Sequence, residues 1–323
     1  MVSAPNLYKQ AHQAALWYDL KNSEDIFGLS GPGFVDFLNS YNSQDIKSLP
    51  VPGVALGTFL TQKGKLVAPA VIYKEAEQIL LLLPKGCGAQ IQKHLAVYLD
   101  FSEVELKDRG EEFFHLLLLG PRSAQGPLAD LPPPSLENTA HELQWRENRL
   151  RVFCSDRWGI GAYEVVGSRE LRETFLEEWN QDSAGEAEEP LLEILRIEAG
   201  LPKMGVDMDE NNLVAEVGLD ERATSFNKGC YLGQETTARV RSQGHVNRRL
   251  ERWLLSEAPQ SPLPLALTTD GKEVGQLTSW GWSPNFDRPI GLGLVQRKAL
   301  EHAENIIAQA GSQTLTLKHL NAK

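Results

Sequence analysis

The chain has 323 residues, 41% apolar and 23% charged, the balance of a globular protein with material for more than one core. Its net charge of -11 argues against a general binder of nucleic acids or anionic membranes, which needs a basic face, and leaves only a local basic pocket open. The three cysteines, Cys87, Cys154 and Cys230, are odd in number and lack a C-x-x-C pair, so neither a disulfide framework nor a zinc site of the usual spacing is expected, and no metal ligands are assigned.

Residues 1–10 show no apolar run behind a basic start, so no signal peptide is expected. No stretch approaches the ~20 apolar residues that cross a bilayer. The expectation is a cytoplasmic protein in a reducing compartment, without membrane or direct nucleic-acid partners. Residues 26–30 read as a strand, followed by Gly31-Pro32-Gly33 and a helix over 34–39. Residues 79–83 read as a strand that leads through Pro84-Lys85-Gly86 to a helix at about 89–99. Residues 114–119 read as a strand, with Gly120-Pro121 and a helix beginning near Arg122, because proline suits a first helical turn. Residues 162–166 form a further strand, with Ser168 as N-cap of a helix over 169–179. This recurring strand–helix order predicts a duplicated α+β unit with helices on one side of mainly antiparallel sheets.

Pro132-Pro133-Pro134 makes a stiff connector, and residues 182–190 an exposed acidic loop. Leu191, Leu192, Ile194, Leu195 and Ile197 form a helical stripe that Gly200 and Pro202 end. Glu198 thus falls in the last turn, where the helix dipole opposes a carboxylate. It is either a solvated charge or the partner of a cationic or amidine-like group. After residue 250, short apolar segments at 252–255, 265–268, 275–279, 290–295 and 314–317 alternate with turns such as Asp270-Gly271, which predicts a small β-barrel. Residues 296–309 read as one short helix or a long turn.

The segment Lys228-Gly229-Cys230-Tyr231-Leu232-Gly233-Gln234-Glu235 concentrates chemistry. Two glycines let the backbone bend around Cys230. Lys228, two residues away, would stabilise a thiolate if both side chains share a side. Tyr231 offers a flat face and a hydroxyl, and Gln234 and Glu235 directed polar groups. Composition alone leaves Cys230 as either a reactive thiol or a small packed side chain. Arg239, Arg241, His245, Arg248 and Arg249 follow, either as a solvated face or as a site for a carboxylate tail or phosphate.

These residues resemble a known family. Arg196-Ile197-Glu198-Ala199-Gly200-Leu201-Pro202, then Gly205-Val206-Asp207-Met208, then the Lys228–Glu235 segment and Gly244-His245-Val246-Asn247-Arg248-Arg249, are similar to the YgfZ family of folate-binding proteins. That family is related to the glycine cleavage T-protein (aminomethyltransferase) and to mitochondrial iron–sulfur assembly factors. The resemblance covers most of the chain and is strongest over 196–250. It implies an α+β fold of duplicated α/β sheet domains and a C-terminal β-barrel around a tetrahydrofolate channel. On that pattern, residues 1–48 and 121–240 form the folate-binding domain, 49–120 a second α+β domain and 245–323 the barrel. It implies that Glu198 holds the pterin, with Tyr231, Gln234, Glu235, Arg239 and Arg241 nearby, and that Cys230 with Lys228 carries redox or cluster chemistry. The T-protein's paired aspartates after a Gly-Gly turn correspond here to Ala68 and Pro69 in Gly64-Lys65-Leu66-Val67-Ala68-Pro69, so aminomethyl transfer is not expected. The function implied is a tetrahydrofolate-binding accessory protein for iron–sulfur assembly or repair, with iron–sulfur enzymes or assembly proteins as partners, tRNA-modifying enzymes included. A folate-dependent one-carbon transferase is the alternative. Client proteins and oligomeric state are left open.

Overall fold

The computed structural model describes residues 4–135, 137–154, 156–180, 184–300 and 306–320. Two runs of leucine set its architecture. The strand Gln78–Pro84 is central in a five-stranded antiparallel sheet with Gly53–Leu60, Leu66–Lys74, Glu24–Ser30 and Glu105–Asp108. The strand Phe113–Leu119 lies inside a second sheet of six, with Leu16–Asp19, Thr139–Trp145, Asn148–Cys154, Ala162–Ser168 and the short Gly185–Glu186. Both leucine strands are buried on both faces, which is why they lack apolar–polar alternation. Alternate residues feed different cores. Ile79, Leu81 and Leu83 pack under the helices Phe34–Tyr41 and Cys87–Leu99. Leu80 and Leu82 meet Phe113, Phe153 and Val166 of the other sheet. The two sheets therefore pack face to face, and most helices lie outside them.

On the second sheet, Leu116 and Leu118 pack toward the helix Arg172–Trp179. Leu117 and Leu119 face Leu7 of the helix Ala4–Gln13 and Leu191, Leu192 and Leu195 of the helix Glu189–Ala199. Pro190 opens that last helix and Gly200, at φ 73°, closes it. The C-terminal segment is a closed barrel of six strands: Arg248–Leu255, Leu265–Thr269, Lys272–Ser283, Arg288–Gln296, Ile307–Ala310 and Gln313–His319. Trp253, Leu267, Leu277, Val295 and Leu315 fill its interior. Ile197 on the Glu189–Ala199 helix packs on Ile290 and Leu292, joining barrel to sheets. Among the described residues no helix is long and apolar enough to cross a membrane.

The α+β fold with duplicated sheets and a terminal barrel is as the sequence predicts. Four details differ. No α-helix starts near Arg122; the chain makes a short 3-10 turn, Gly126–Leu128, whose Leu128 fills the core. Ser168 stands before a 3-10 turn and makes no side-chain capping bond to it. The strand Glu24–Ser30 pairs with Gln78–Pro84, whereas Phe113–Leu119 pairs with Leu16–Asp19. The chain thus crosses between sheets after residue 22 and returns before 113, not at 48 and 121. A short 3-10 stretch at 297–300 meets the expectation for residues 296–309 in part, but residues 307–310 form a barrel strand; residues 301–305 of that segment, and 182–183 of the acidic loop, lie outside the described residues.

Candidate functional site

Where the two sheets part, they leave a cavity of about 430 Å³, closed by the Glu189–Ala199 helix and the chain that follows it. That volume lies within the range of small-molecule sites. Its apolar wall includes Pro69, Val71 and Leu82 from the first sheet, and Leu192, Met204 and Met208. Trp158 adds an aromatic surface. Charged groups complete it: Glu24, Arg157, Glu193, Arg196, Lys203 and Arg222. A flat ligand with a polar edge and an anionic end suits such a lining.

Glu189, Leu192, Glu193 and Arg196 of one helix all reach this cavity, at the i, i+3, i+4, i+7 spacing of a single face. Glu193 accepts from Arg196 Nε at 2.9 Å and from Lys203 Nζ at 2.8 Å. Burial would raise the Glu193 pKa, but these two cations hold it below the usual carboxylate range. Arg196 also bonds Asp207 at 2.7 Å and Ser279 Oγ at 2.7 Å, which ties the helix to the barrel.

Glu198 lies two residues past Arg196, on a different face, and does not line the cavity. Its carboxylate accepts from Tyr8 Oη at 2.7 Å and from Ser283 Oγ, and its carbonyl accepts from Arg252. Burial, then the neighbouring Glu198 carboxylate, raise the Tyr8 pKa. Helical phase turns the Glu198 carboxylate toward the N-terminal helix and the barrel.

The Cys230 segment forms a turn before the helix Gln234–Gln243. Cys230 is exposed. Lys228 does not serve the thiol. Its three ammonium donors bond the carbonyls of Asn39 at 2.6 Å, Asn42 at 2.8 Å and Gln44 at 2.6 Å. An ammonium has three donors, so none is left for a thiolate. Burial lowers its pKa to about 8, against the weaker pull of Asp45. Lys228 also lies 5.0 Å from the centre of the Tyr231 ring. Tyr231 is half-buried against a cluster that contains Met208 and Leu219, which themselves line the cavity. The Cys230 turn thus stands one layer behind the cavity wall.

The other predicted site residues are locally satisfied. Gln234 Oε1 accepts from Tyr231 N at 3.2 Å. Glu235 pairs with Arg239 at 2.8 Å on the exposed helix face, and Arg241 lies 3.8 Å over the Phe226 ring. Arg248 pairs with Glu216, and Arg249 with Glu251. The basic cluster is therefore spread over separate pairs. Cys87 and Cys154 are buried, and burial raises both thiols, Cys87 to about 11. One thiol of three is expected to react rapidly with a bulky disulfide reagent in the folded protein, and all three after denaturation. Titration of released chromophore before and after guanidinium checks this; two fast thiols would contradict it.

Sequence reasoning missed the most heavily buried charged group at this site. Glu24, His115, Arg157 and Glu164 meet between the sheets, where Glu24 and Arg157 reach the cavity. The signal was present: His115 interrupts the run Phe-Phe-His-Leu-Leu-Leu-Leu, and Glu164 interrupts a buried strand. A charge at an inward strand position needs a partner.

The GCVT N-terminal domain family matches residues 8–228, and the glycine cleavage T-protein C-terminal barrel domain matches residues 260–320. The chain belongs to this T-protein family. A chloroplastic putative transferase of Arabidopsis thaliana is 29% identical over 84% of this chain, and the match spans 63% of that protein's length. An aminomethyltransferase of Thermotoga neapolitana is 25% identical over 87% of this chain and 78% of its own. The crystal structure of the glycine cleavage system aminomethyltransferase T from Bartonella henselae shares the fold, with a TM-score of 0.82 at 18% identity over 99% of this chain and 88% of that one.

Proposed function

We propose that this member of the T-protein family binds tetrahydrofolate in the central cavity, is of the YgfZ type, and supports iron–sulfur assembly or repair through Cys230. The cavity carries the reading. Its apolar walls and Trp158 suit a flat bicyclic ring, and Lys203 and Arg222 suit a carboxylate tail. A bound tetrahydrofolate would supply a carrier for one-carbon units.

The strand Leu66–Lys74 gives the cavity Pro69, Ala70 and Val71, while Ala68 is fully buried in the core. None of these can accept a proton, which supports a protein that no longer performs aminomethyl transfer. Cys230 is exposed and so open to a partner. A single thiolate cannot complete the Cys₄ ligation typical of clusters, so a partner or a small thiol would supply the rest.

The second reading, a folate-dependent one-carbon transferase, is favoured by Glu24, a titratable carboxylate that lines the cavity and is backed by His115. Calorimetric titration with tetrahydrofolate tests the shared part. Saturable one-to-one binding is expected, with stabilisation of about 2.7 kcal/mol at a hundredfold excess over Kd. Absence of binding removes the folate reading. Ammonia-dependent aminomethyl turnover would favour the transferase, whereas loss of iron–sulfur enzyme activity in cells carrying Cys230→Ser would favour the assembly role.

A further inference from the structure

The chain has three methionines. Met1 lies outside the described residues, and the other two, Met204 and Met208, both line the central cavity. None of the three cysteines does, so these thioethers are the sulfur atoms of the site. The pair stands on one tight turn. Gly205 N donates to Met208 O at 2.8 Å, and Val206 N and Asp207 N donate to Lys203 O at 3.1 and 2.9 Å. Asp207 Oδ2 accepts from Lys203 N at 3.0 Å, while Arg196 and Ser279 hold the same carboxylate from the helix and the barrel. The backbone is therefore fixed on both sides of Met204, and adjustment falls to its side chain. An unbranched thioether with three rotatable bonds suits a wall that must follow the outline of a ligand.

The two methionines differ in exposure. Met208 is 4% exposed, within a cluster that includes Leu66, Val214 and Leu219. Met204 is half-buried. It packs on that cluster and also on the core under the helices Phe34–Tyr41 and Cys87–Leu99, so it sits at the seam of two cores where the cavity opens. Oxidation of a thioether follows its access to the oxidant, which favours Met204 over its neighbour.

We infer that Met204 is an oxidation site in the cavity wall: hydrogen peroxide converts its thioether to the sulfoxide, and the modified wall holds a ligand less tightly. The inference rests on the folate reading only for the ligand that serves as readout. In the step, a sulfur lone pair takes one oxygen of the peroxide, the O–O bond breaks, and the other oxygen leaves as water. Sulfur gives up two electrons and the peroxide receives them. The product is a polar, chiral side chain in place of a flexible apolar one. Beside Leu56, Leu82 and Leu219 its S–O dipole either goes unpaired or turns toward water, and each response changes the apolar surface that a flat ring meets. The change is reversible. A dithiol-dependent sulfoxide reductase removes the oxygen as water while two thiols become a disulfide.

The test uses the full chain carrying Cys230→Ser, which removes the exposed thiol as a competing target. The protein is treated with hydrogen peroxide, quenched with catalase and digested with trypsin. Both methionines fall in the peptide that follows Lys203, and fragmentation assigns the added oxygen. Met204 should be oxidised at least about tenfold faster than Met208 in the folded protein, and at an equal rate in guanidinium. Saturating 5-formyltetrahydrofolate should slow the reaction at Met204. Calorimetry with the same folate should show binding weakened by about tenfold after oxidation and restored by the reductase. In Met204→Leu, peroxide should leave the affinity where it was before treatment. Equal oxidation of the two methionines in the folded protein overturns the inference, as does unchanged affinity once Met204 is fully oxidised; neither result touches the folate reading. If the untreated protein does not bind the folate, that reading fails, and the two oxidation rates alone decide for or against the Met204 site.

Discussion

Replacing Arg196 with alanine is expected to destabilise the fold by about 3–5 kcal/mol, the range for breaking a buried ion pair by removing one partner. Arg196 is 7% exposed and holds four groups: Glu193, Asp207, the carbonyl of Leu201 and Ser279. Asp207 is 3% exposed. Its Oδ1 accepts from Thr278 and Ser279 of the barrel, both at 2.6 Å, and its Oδ2 accepts from Lys203 N at 3.0 Å. Without Arg196 these neutral donors would have to hold a buried carboxylate by themselves. The same network is the wall between the central cavity and a more polar cleft of about 490 Å³ that Asp207 and Thr278 line. Chemical denaturation of wild type and Arg196→Ala measures the loss. The double change Arg196→Met with Asp207→Leu should recover much of it, since no unpaired charge then remains. By contrast, Arg239→Ala breaks an exposed pair with Glu235 and should shift stability by less than about 1 kcal/mol. Equal losses in the two single variants would show that burial does not govern the Arg196 network.

Patterns of apolar residues were the legible part of this fold. The leucines of residues 79–83 and 116–119 announce strands buried on both faces, and the short apolar segments after residue 250 announce a barrel. Residue patterns do not state which sheet a strand joins. The strand Glu24–Ser30 has no local feature that sends it to Gln78–Pro84 and not to Leu16–Asp19; only packing of the finished sheets decides that. The site shows the same division. Its helix was readable, but the face was not: Arg196 and Glu198 are two residues apart, and their roles depend on where the cavity opens. For Lys228, proximity in sequence pointed at Cys230. The carbonyl of Asn39 in the helix Phe34–Tyr41 and those of Asn42 and Gln44 in the loop after it claim it in the fold. Lys74 bonds three further carbonyls of that loop, those of Ile46, Lys47 and Leu49. A loop that presents five carbonyls to two ammonium groups has no composition by which to recognise it.

The charged group between the sheets makes stability depend on pH with a sign that can be worked out. The folded-state midpoint of His115, about 9, lies above its unfolded value of 6.5. The imidazolium therefore contributes stability in full below pH 6.5, and the contribution is lost as pH rises through 9. A shift of that size corresponds to about 3 kcal/mol. Glu24 and Glu164 act at the other end. Burial opposes their ionisation, but Arg157 and then His115 outweigh it and hold both below their unfolded value of 4.5. Their contribution is present above pH 4.5 and is lost as pH falls through their folded midpoints. For this group the maximum lies between pH 4.5 and 6.5. Lys228 works in the opposite direction on the alkaline side. Its folded midpoint of about 8 lies below the unfolded 10.5, so its term favours folding progressively from pH 8 to 10.5. The decline due to His115 is accordingly read between pH 6.5 and 8, before Lys228 masks it. Denaturation midpoints should fall across that interval in the wild type and stay level in His115→Gln, which replaces the ring with a neutral donor and acceptor. A level wild-type profile would mean that His115 is not charged between its two carboxylates.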